Sequence, residues 1–150
     1  MSLCLACGFC CDGTLFNRVP LTEAEAPALK VPLQVVDGQH HARQPCPALE
    51  GTACRVYAER PFTCRRFRCL LLEAHEATEV SLSGAVEIVE ATRALRATLA
   101  AALSRPDAGR IVDEARALRG PLEPAVAQAL ERLEKQLAFH FLGQRSRQPR

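Results

Sequence analysis

Apolar and polar residues follow two different periods along this chain, and the change comes near Leu70. Before it the pattern is short and β-like. The run from Thr14 to Val19 is rich in β-formers and follows the turn signal Asp12-Gly13, which predicts a short strand. Leu33–Val36 and Gln39–Arg43 flank Asp37-Gly38, a dipeptide suited to the positive φ angles of a type I′ turn, and predict a hairpin running towards Cys46. Between strand and hairpin, Thr22 and Glu25 have the spacing of a capping box, but Pro27 removes a backbone donor and keeps any helix there short.

From Leu70 onwards Ala, Leu, Arg and Glu predominate, with almost no turn residues before Pro106, and the period becomes helical. In the first helical segment Val86, Val89, Arg93 and Arg96 fall on one side, with Ile88, Thr92, Leu95, Leu99 and Leu103 on the other. A shorter helix is marked by Ile111, Ala115 and Leu118, bounded by Ser104–Asp107 and by Gly120-Pro121. The third runs from about Leu122 to Leu142 on the stripe Val126, Leu130, Leu133, Leu137 and Phe141, with Gly143 as its stop. Residues 144–150 read as a frayed basic tail. The stripes are seams for helix packing, and a homodimer or protein partner would use the same faces.

The cysteines change this picture. Four of the eight, Cys4, Cys7, Cys10 and Cys11, lie within eight residues, a density suited to chelation. Thiolates at i, i+3 and i+6 can converge on one centre from a turning loop, and Ala6 and Gly8 let the backbone wrap closely. Adjacent residues in extended backbone point apart, so Cys10 and Cys11 suit two centres better than one. The second set, Cys46, Cys54, Cys64 and Cys69, is spread out in sequence. If Pro61 opens a helix, Cys64 and Cys69 sit about 140° apart around its axis and cannot face one ion together. Either the backbone breaks between them or they serve different places.

With this metal-binding half included, the expected fold class is α+β: a small cysteine-rich, metal-stapled N-terminal half with short strands, then about three packed α-helices. The cysteine-cluster region spans 1–75, the helical region 76–143 and the tail 144–150, and at 150 residues one compact domain is expected. The formal charge of +2 points neither to bulk binding of nucleic acid nor to an acidic partner. Met1-Ser2-Leu3 has neither the basic nor the apolar part of a signal peptide, and no apolar run is long enough to span a bilayer, so the expected location is the cytoplasm. In that reducing compartment eight cysteines favour metal ligation over disulfides.

The order Cys4-x-x-Cys7-x-x-Cys10-Cys11, Cys46, then Cys54-x-x-Tyr57-x-x-Arg60-Pro61-x-x-Cys64-Arg65-x-Phe67-x-Cys69 resembles the CxxCxxCC family of zinc- or iron-chelating proteins, also described as bacterial cysteine-cluster or iron-sulfur-cluster-containing proteins. The resemblance covers Cys4 to Cys69 and departs at Arg68, where many relatives carry proline. It implies a bound metal or cluster, and related flagellin lysine methylases imply that such a module can accompany methyl transfer to protein.

Three arrangements of the thiols compete. Two four-thiolate zinc sites, each with two early and two late ligands, would use all eight cysteines. Alternatively Cys4, Cys7 and Cys10 hold an iron-sulfur cluster with a distant fourth ligand, for which Cys46-Pro47 is a candidate. In the third, Cys7 and Cys10 form a redox dithiol, although such motifs normally follow a strand and none fits before Cys7. The anionic centre needs compensation, and Arg55, Arg60, Arg65, Arg66 and Arg68 crowd the late cysteines; the same cluster would also suit a solvated basic face. Tyr57, Arg60 and Arg65 are candidates to line the cofactor, with Tyr57 and Arg60 hydrogen-bonding around a thiolate. His40 and His41 are expected as exposed strand residues rather than ligands, His75 and His140 as helix residues, and Glu73, Glu76 and Glu79 as a solvated face. No phosphate-binding glycine loop, nucleophile elbow or His-Glu-x-x-His motif is present. The primary reading is a structural or metal-handling module, with a cluster-dependent oxidoreductase or protein-lysine methyl transferase as the enzymatic alternative.

Overall fold

The computed structural model describes residues 2–25, 33–107 and 109–143. Its N-terminal part opens with two short helices, α1 (Leu3–Cys7) and α2 (Phe9–Asp12), joined at Gly8. Strands β1 (Arg18–Pro20), β2 (Gln34–Val36) and β3 (Gln39–Arg43) form an antiparallel sheet in the order β1-β3-β2. A two-residue ladder, β4 (Leu49–Glu50) with β5 (Ala53–Cys54), follows. Then come α3 (Phe62–Arg66) and α4 (Leu70–Glu76), and beyond them the long α5 (Leu82–Ala102), α6 (Ile111–Arg116) and α7 (Pro124–Leu137), which runs into a π-helical turn at Ala138–Leu142. This is an α+β protein.

The β2–β3 hairpin forms as expected, with Asp37 at φ 52° and Gly38 at φ 75° in its turn. The strand expected from Thr14 is displaced to Arg18–Pro20. Thr14 N–H donates to Asp12 Oδ1 (2.8 Å) and Leu15 N–H to the Phe9 carbonyl (3.0 Å), local bonds that compete with a ladder. Thr22 and Glu25 make the expected contact, Glu25 Oε2 accepting from the Thr22 N–H at 3.0 Å. Residues 23–25 form a turn, and the rest of that predicted helix lies outside the described residues. So does the basic tail.

In the helical half, the first expected segment is divided between α4 and α5. Thr78 adopts φ 61°, and Ser81 caps α5 by accepting from the Gly84 N–H at 3.1 Å. The predicted faces of α5 also need correction. Val89, Thr92, Arg96 and Leu99 share the buried face with Ala85, whereas Val86, Ile88, Arg93 and Leu95 flank it. Thr92 is tolerated there because its hydroxyl donates to the Ile88 carbonyl (2.7 Å) and accepts from Gln136 Nε2 (3.1 Å). The α7 stripe Val126, Leu130, Leu133, Leu137 and Phe141 is buried as read, and Gly143 follows it with φ 60°.

The main core unites both halves. Leu3, Phe9, Leu15 and Phe16 from the cysteine region pack in one cluster with Val89, Leu99, Leu133 and Phe141. A smaller cluster, Val19, Leu21, Ala42 and Ala48, lies under the sheet. No helix among the described residues is long and apolar enough to cross a membrane.

Candidate metal centre

The first cysteine run is shaped by Gly8. At φ 72° it ends α1, donating its N–H to the Cys4 carbonyl (3.1 Å), and its missing side chain admits another piece of backbone. A Cβ there would stand 2.9 Å from the Thr52 carbonyl oxygen, while Thr52 Oγ1 donates to the Leu5 carbonyl at 2.8 Å. The turn between β4 and β5 is thereby pressed against α1. Gly8→Ala should destabilise the chain by about 1–3 kcal/mol through the strained left-handed backbone, with the contact to Thr52 adding to it. Denaturant unfolding checks this, and an unchanged midpoint would contradict the close approach.

All eight cysteines are free thiols, each partly buried, and all eight line one cavity of about 260 Å³. Within it they fall into two sets. Cys10 has Cys7, Cys69, Cys11 and Cys4 as its repelling neighbours, and Cys69 faces Cys4. Cys11 faces Cys46, Cys54 and Cys64, which also face one another. Packing divides them in the same way: Cys7, Cys10 and Cys69 lie against the main core, and Cys46, Cys54 and Cys64 against the smaller one. Among the described residues no three potential ligands already stand at ion-holding separations. The thiols are neighbours grouped around a space, not a closed cage.

These neighbours match neither expected ligand arrangement in full. The sets divide three-plus-one and one-plus-three between early and late cysteines, like the expected cluster arrangement and unlike the two-plus-two of the zinc arrangement. The distant thiol beside Cys4, Cys7 and Cys10 is Cys69, while Cys46 stands with Cys11. Cys10 and Cys11, expected to point apart in extended backbone, lie instead on a helix, where adjacent side chains diverge by about 100°, and Cys11 still acts on Cys10. Cys64 and Cys69 part because α3 ends at Phe67, whose backbone is extended (φ −71°, ψ 129°), and Cys69 starts a new helix as its N-cap. A redox dithiol at Cys7 and Cys10 would normally follow a strand, and Cys7 instead closes a helix.

Two opposing influences act on the thiols. Burial pushes Cys7 up to about 12 and Cys64 to about 11, and raises Cys10, Cys11, Cys46 and Cys69 as well. Yet backbone N–H groups are aimed at sulfur: Leu72 N–H donates to Cys69 Sγ at 3.4 Å, and the amides of Phe9 and Ala48 favour the ionised forms of Cys7 and Cys46. Donors prepared for thiolates that burial alone disfavours fit a bound cation, which would supply the missing charge.

The consequence for stability has a definite sign. A thiol whose folded value is raised contributes stability that is complete below the ordinary thiol range and is lost as pH rises towards 11–12 for Cys64 and Cys7. The metal-free, reduced chain should therefore lose resistance to urea from about pH 9 upwards. With cadmium bound, the thiolates are already ionised and paired, and the alkaline loss should be smaller. Equal pH profiles for the two forms would contradict the burial of these sulfurs.

The surrounding polar groups divide their tasks. Arg60 stacks on Tyr57 with its guanidinium carbon 3.8 Å from the ring centroid, and Tyr57 Oη meets Ser2 Oγ at 3.0 Å. Both line the cavity, and the charge of Arg60 acts on Cys64. The Arg55 charge acts on Cys46, and Arg55 Nη2 donates to the Pro47 carbonyl at 2.9 Å. Arg65 faces Glu25, whose carboxylate accepts from the N–H groups of Thr22 and Phe62 and is held below its usual range chiefly by them. Arg66 lies over Phe62 and Arg68 pairs with Glu76, so Glu76 belongs to the cavity wall and not to a purely solvated face.

The histidines have other occupations. His40 pairs with Glu23 at 3.0 Å, and His41 is buried, not exposed as expected, its Nδ1 donating to the Gln39 carbonyl at 2.9 Å. His75 Nδ1 donates to the Val80 carbonyl at 3.0 Å, and His140 packs against Phe139.

Two arginines on α5 complete the surroundings. Arg93 Nη2 donates to the carbonyls of Ala6 (3.0 Å) and Cys7 (2.7 Å). Arg96, 9 % exposed, donates to Asp12 Oδ2 (2.5 Å), Thr14 Oγ1 (2.9 Å) and Asp107 Oδ1 (2.7 Å). Burial opposes the Arg96 charge, but Asp107 and Asp12 outweigh it. The signal in the sequence was the appearance of two arginines three residues apart on a helix that otherwise packs through apolar residues.

No curated protein and no solved structure matches this chain. One family description, CxxCxxCC, "Putative zinc- or iron-chelating domain", matches residues 3–83, more than half of the chain and every one of the eight cysteines. On that match, and in keeping with its cavity of eight thiols, the chain belongs to the CxxCxxCC family.

Proposed function

We propose that this protein holds two metal centres, one on Cys4, Cys7, Cys10 and Cys69 and the other on Cys11, Cys46, Cys54 and Cys64, and acts as a structural or metal-handling module. The observation that carries the reading is packing: of the eight partly buried thiols, Cys7, Cys10 and Cys69 lie against the main core and Cys46, Cys54 and Cys64 against the smaller one, with Cys4 acting on Cys69 and Cys11 beside the second three. Four thiolates satisfy a tetrahedral zinc ion completely. Each centre draws on elements distant in sequence, so binding would tie α1 and α2 to the start of α4 in one case, and α2 to the segment before β4, to β5 and to α3 in the other. Tyr57, Arg60 and Arg65 border the cavity and would offset the negative charge of four thiolates.

The cavity favours a second reading for at least one centre. Its volume of about 260 Å³ exceeds what two bare ions need, and the same thiolates suit sulfide-bridged iron. Electron transfer or another cluster-dependent reaction would then belong to that centre. Anaerobic purification with iron, zinc and acid-labile sulfide measured per chain distinguishes the two. About two zinc ions and no colour support the structural reading, iron with sulfide and a brown absorption band supports the cluster reading, and a chain that retains neither metal nor sulfide contradicts both.

A further inference from the structure

We infer that Arg93 is a positioning residue for the first thiol set alone, so that the part of α5 beyond the segment matching the family sets how firmly that one centre holds its metal. The inference rests on the two-centre reading proposed above. Arg93 lies ten residues past the end of the family match at residue 83. One of its terminal nitrogens bridges two successive carbonyls, Ala6 (3.0 Å) and Cys7 (2.7 Å), at the last turn of α1. These carbonyls belong to the loop between Cys4 and Cys10, and the second belongs to a proposed ligand.

The guanidinium is itself held in place. Its Nε donates to Glu90 Oε1 at 3.3 Å, and its central carbon lies 5.0 Å from the Phe9 ring centroid, between Cys7 and Cys10 in sequence. A fork fixed on both sides restricts the Cys7–Cys10 turn more than a mobile point charge would. It also brings positive charge towards a group of sulfurs that becomes anionic on metal binding, and Cys7 already feels that charge. The second set has a different support: Cys46 N–H donates to the Cys11 carbonyl at 2.7 Å, and Arg55 and Arg60 act on its late thiols. One centre is therefore anchored to the helical half by Arg93, and the other by the β4–β5 region.

The test uses the full chain loaded with cadmium-113 under anaerobic, reducing conditions. The parent protein should give two cadmium resonances in the four-thiolate region. In Arg93→Gln one resonance should shift or broaden while the other stays, and a competing chelator should withdraw one equivalent about tenfold faster, the effect usual for removing an outer partner of a metal ligand. Arg93→Lys, which keeps the charge but not the fork, should fall between parent and Gln.

Equal movement of both resonances, or no change in either resonance or release rate, would overturn the inference while leaving two centres standing. A parent chain that takes up no cadmium would remove the two-centre reading and the inference with it. Loss of folding in both variants would make Arg93 a general structural residue and would also overturn it.

Discussion

Cys10→Ala and Cys11→Ala, substitutions at neighbouring positions, should each remove one metal centre and spare the other, and the double variant should remove both. Cys10 packs with Cys7 and Cys69 against the main core, whereas Cys11 has Cys46, Cys54 and Cys64 as its sulfur neighbours, although Cys11 also acts on Cys10. Three remaining thiolates hold a metal far less firmly than four, whereas the untouched set keeps its full complement. The effect on folding should be the largest of any single side chain here, because a structural zinc site is worth roughly 10–16 kcal/mol of apparent binding at neutral pH. Metal analysis of the purified variants provides the count. Cys69→Ala should reproduce the Cys10→Ala loss, and Cys46→Ala that of Cys11→Ala. If Cys10→Ala and Cys11→Ala deplete the same centre, the proposed division is wrong.

The second large effect is expected at Phe9. Its side chain is fully buried, meets Phe141 edge-to-face with ring centroids 5.5 Å apart, and has Arg93 and Arg96 at its face, 5.0 and 5.7 Å from the ring centroid. It sits in the cysteine run yet belongs to the core shared with α5 and α7. Phe9→Ala should cost about 3–5 kcal/mol, the range for truncating a buried aromatic. It should also accelerate metal release, since the loop between Cys7 and Cys10 would lose its hold on the helices. Phe139→Ala is the control: that ring is 77 % exposed, and its removal should alter neither property much. Equal behaviour of the two variants would show that the core does not support the site.

What the sequence disclosed follows from how local each signal is. The β2–β3 hairpin was legible because Asp37-Gly38 accepts the required backbone by itself. Different directions for the Cys10 and Cys11 side chains were legible because both extended and helical backbone send adjacent side chains apart. The company each thiol keeps was not legible. It depends on α3 stopping at Phe67 and Cys69 capping α4, a break that brings one late thiol back to the first run and leaves Cys46, Cys54 and Cys64 with Cys11. The faces of α5 were misread because apolar residues occur on more than one side of this helix: Thr92 and Leu99 were placed on one side and Val89 and Arg96 on the other, whereas all four share the buried face. The burial of Thr92 and Arg96 becomes tolerable through partners that the helix pattern does not reveal, Gln136 for Thr92 and both Asp12 and Asp107 for Arg96. Arg93 was visible on its helix, but its partners are backbone carbonyls, which carry no mark in an amino-acid sequence.

The division into two fours is tested most directly by anomalous diffraction at the metal absorption edge from crystals of the loaded, reduced protein. The account predicts two separate anomalous centres, one surrounded by the sulfurs of Cys4, Cys7, Cys10 and Cys69, the other by those of Cys11, Cys46, Cys54 and Cys64. A single centre drawing on both sets, or two centres with Cys46 and Cys69 exchanged, would contradict it.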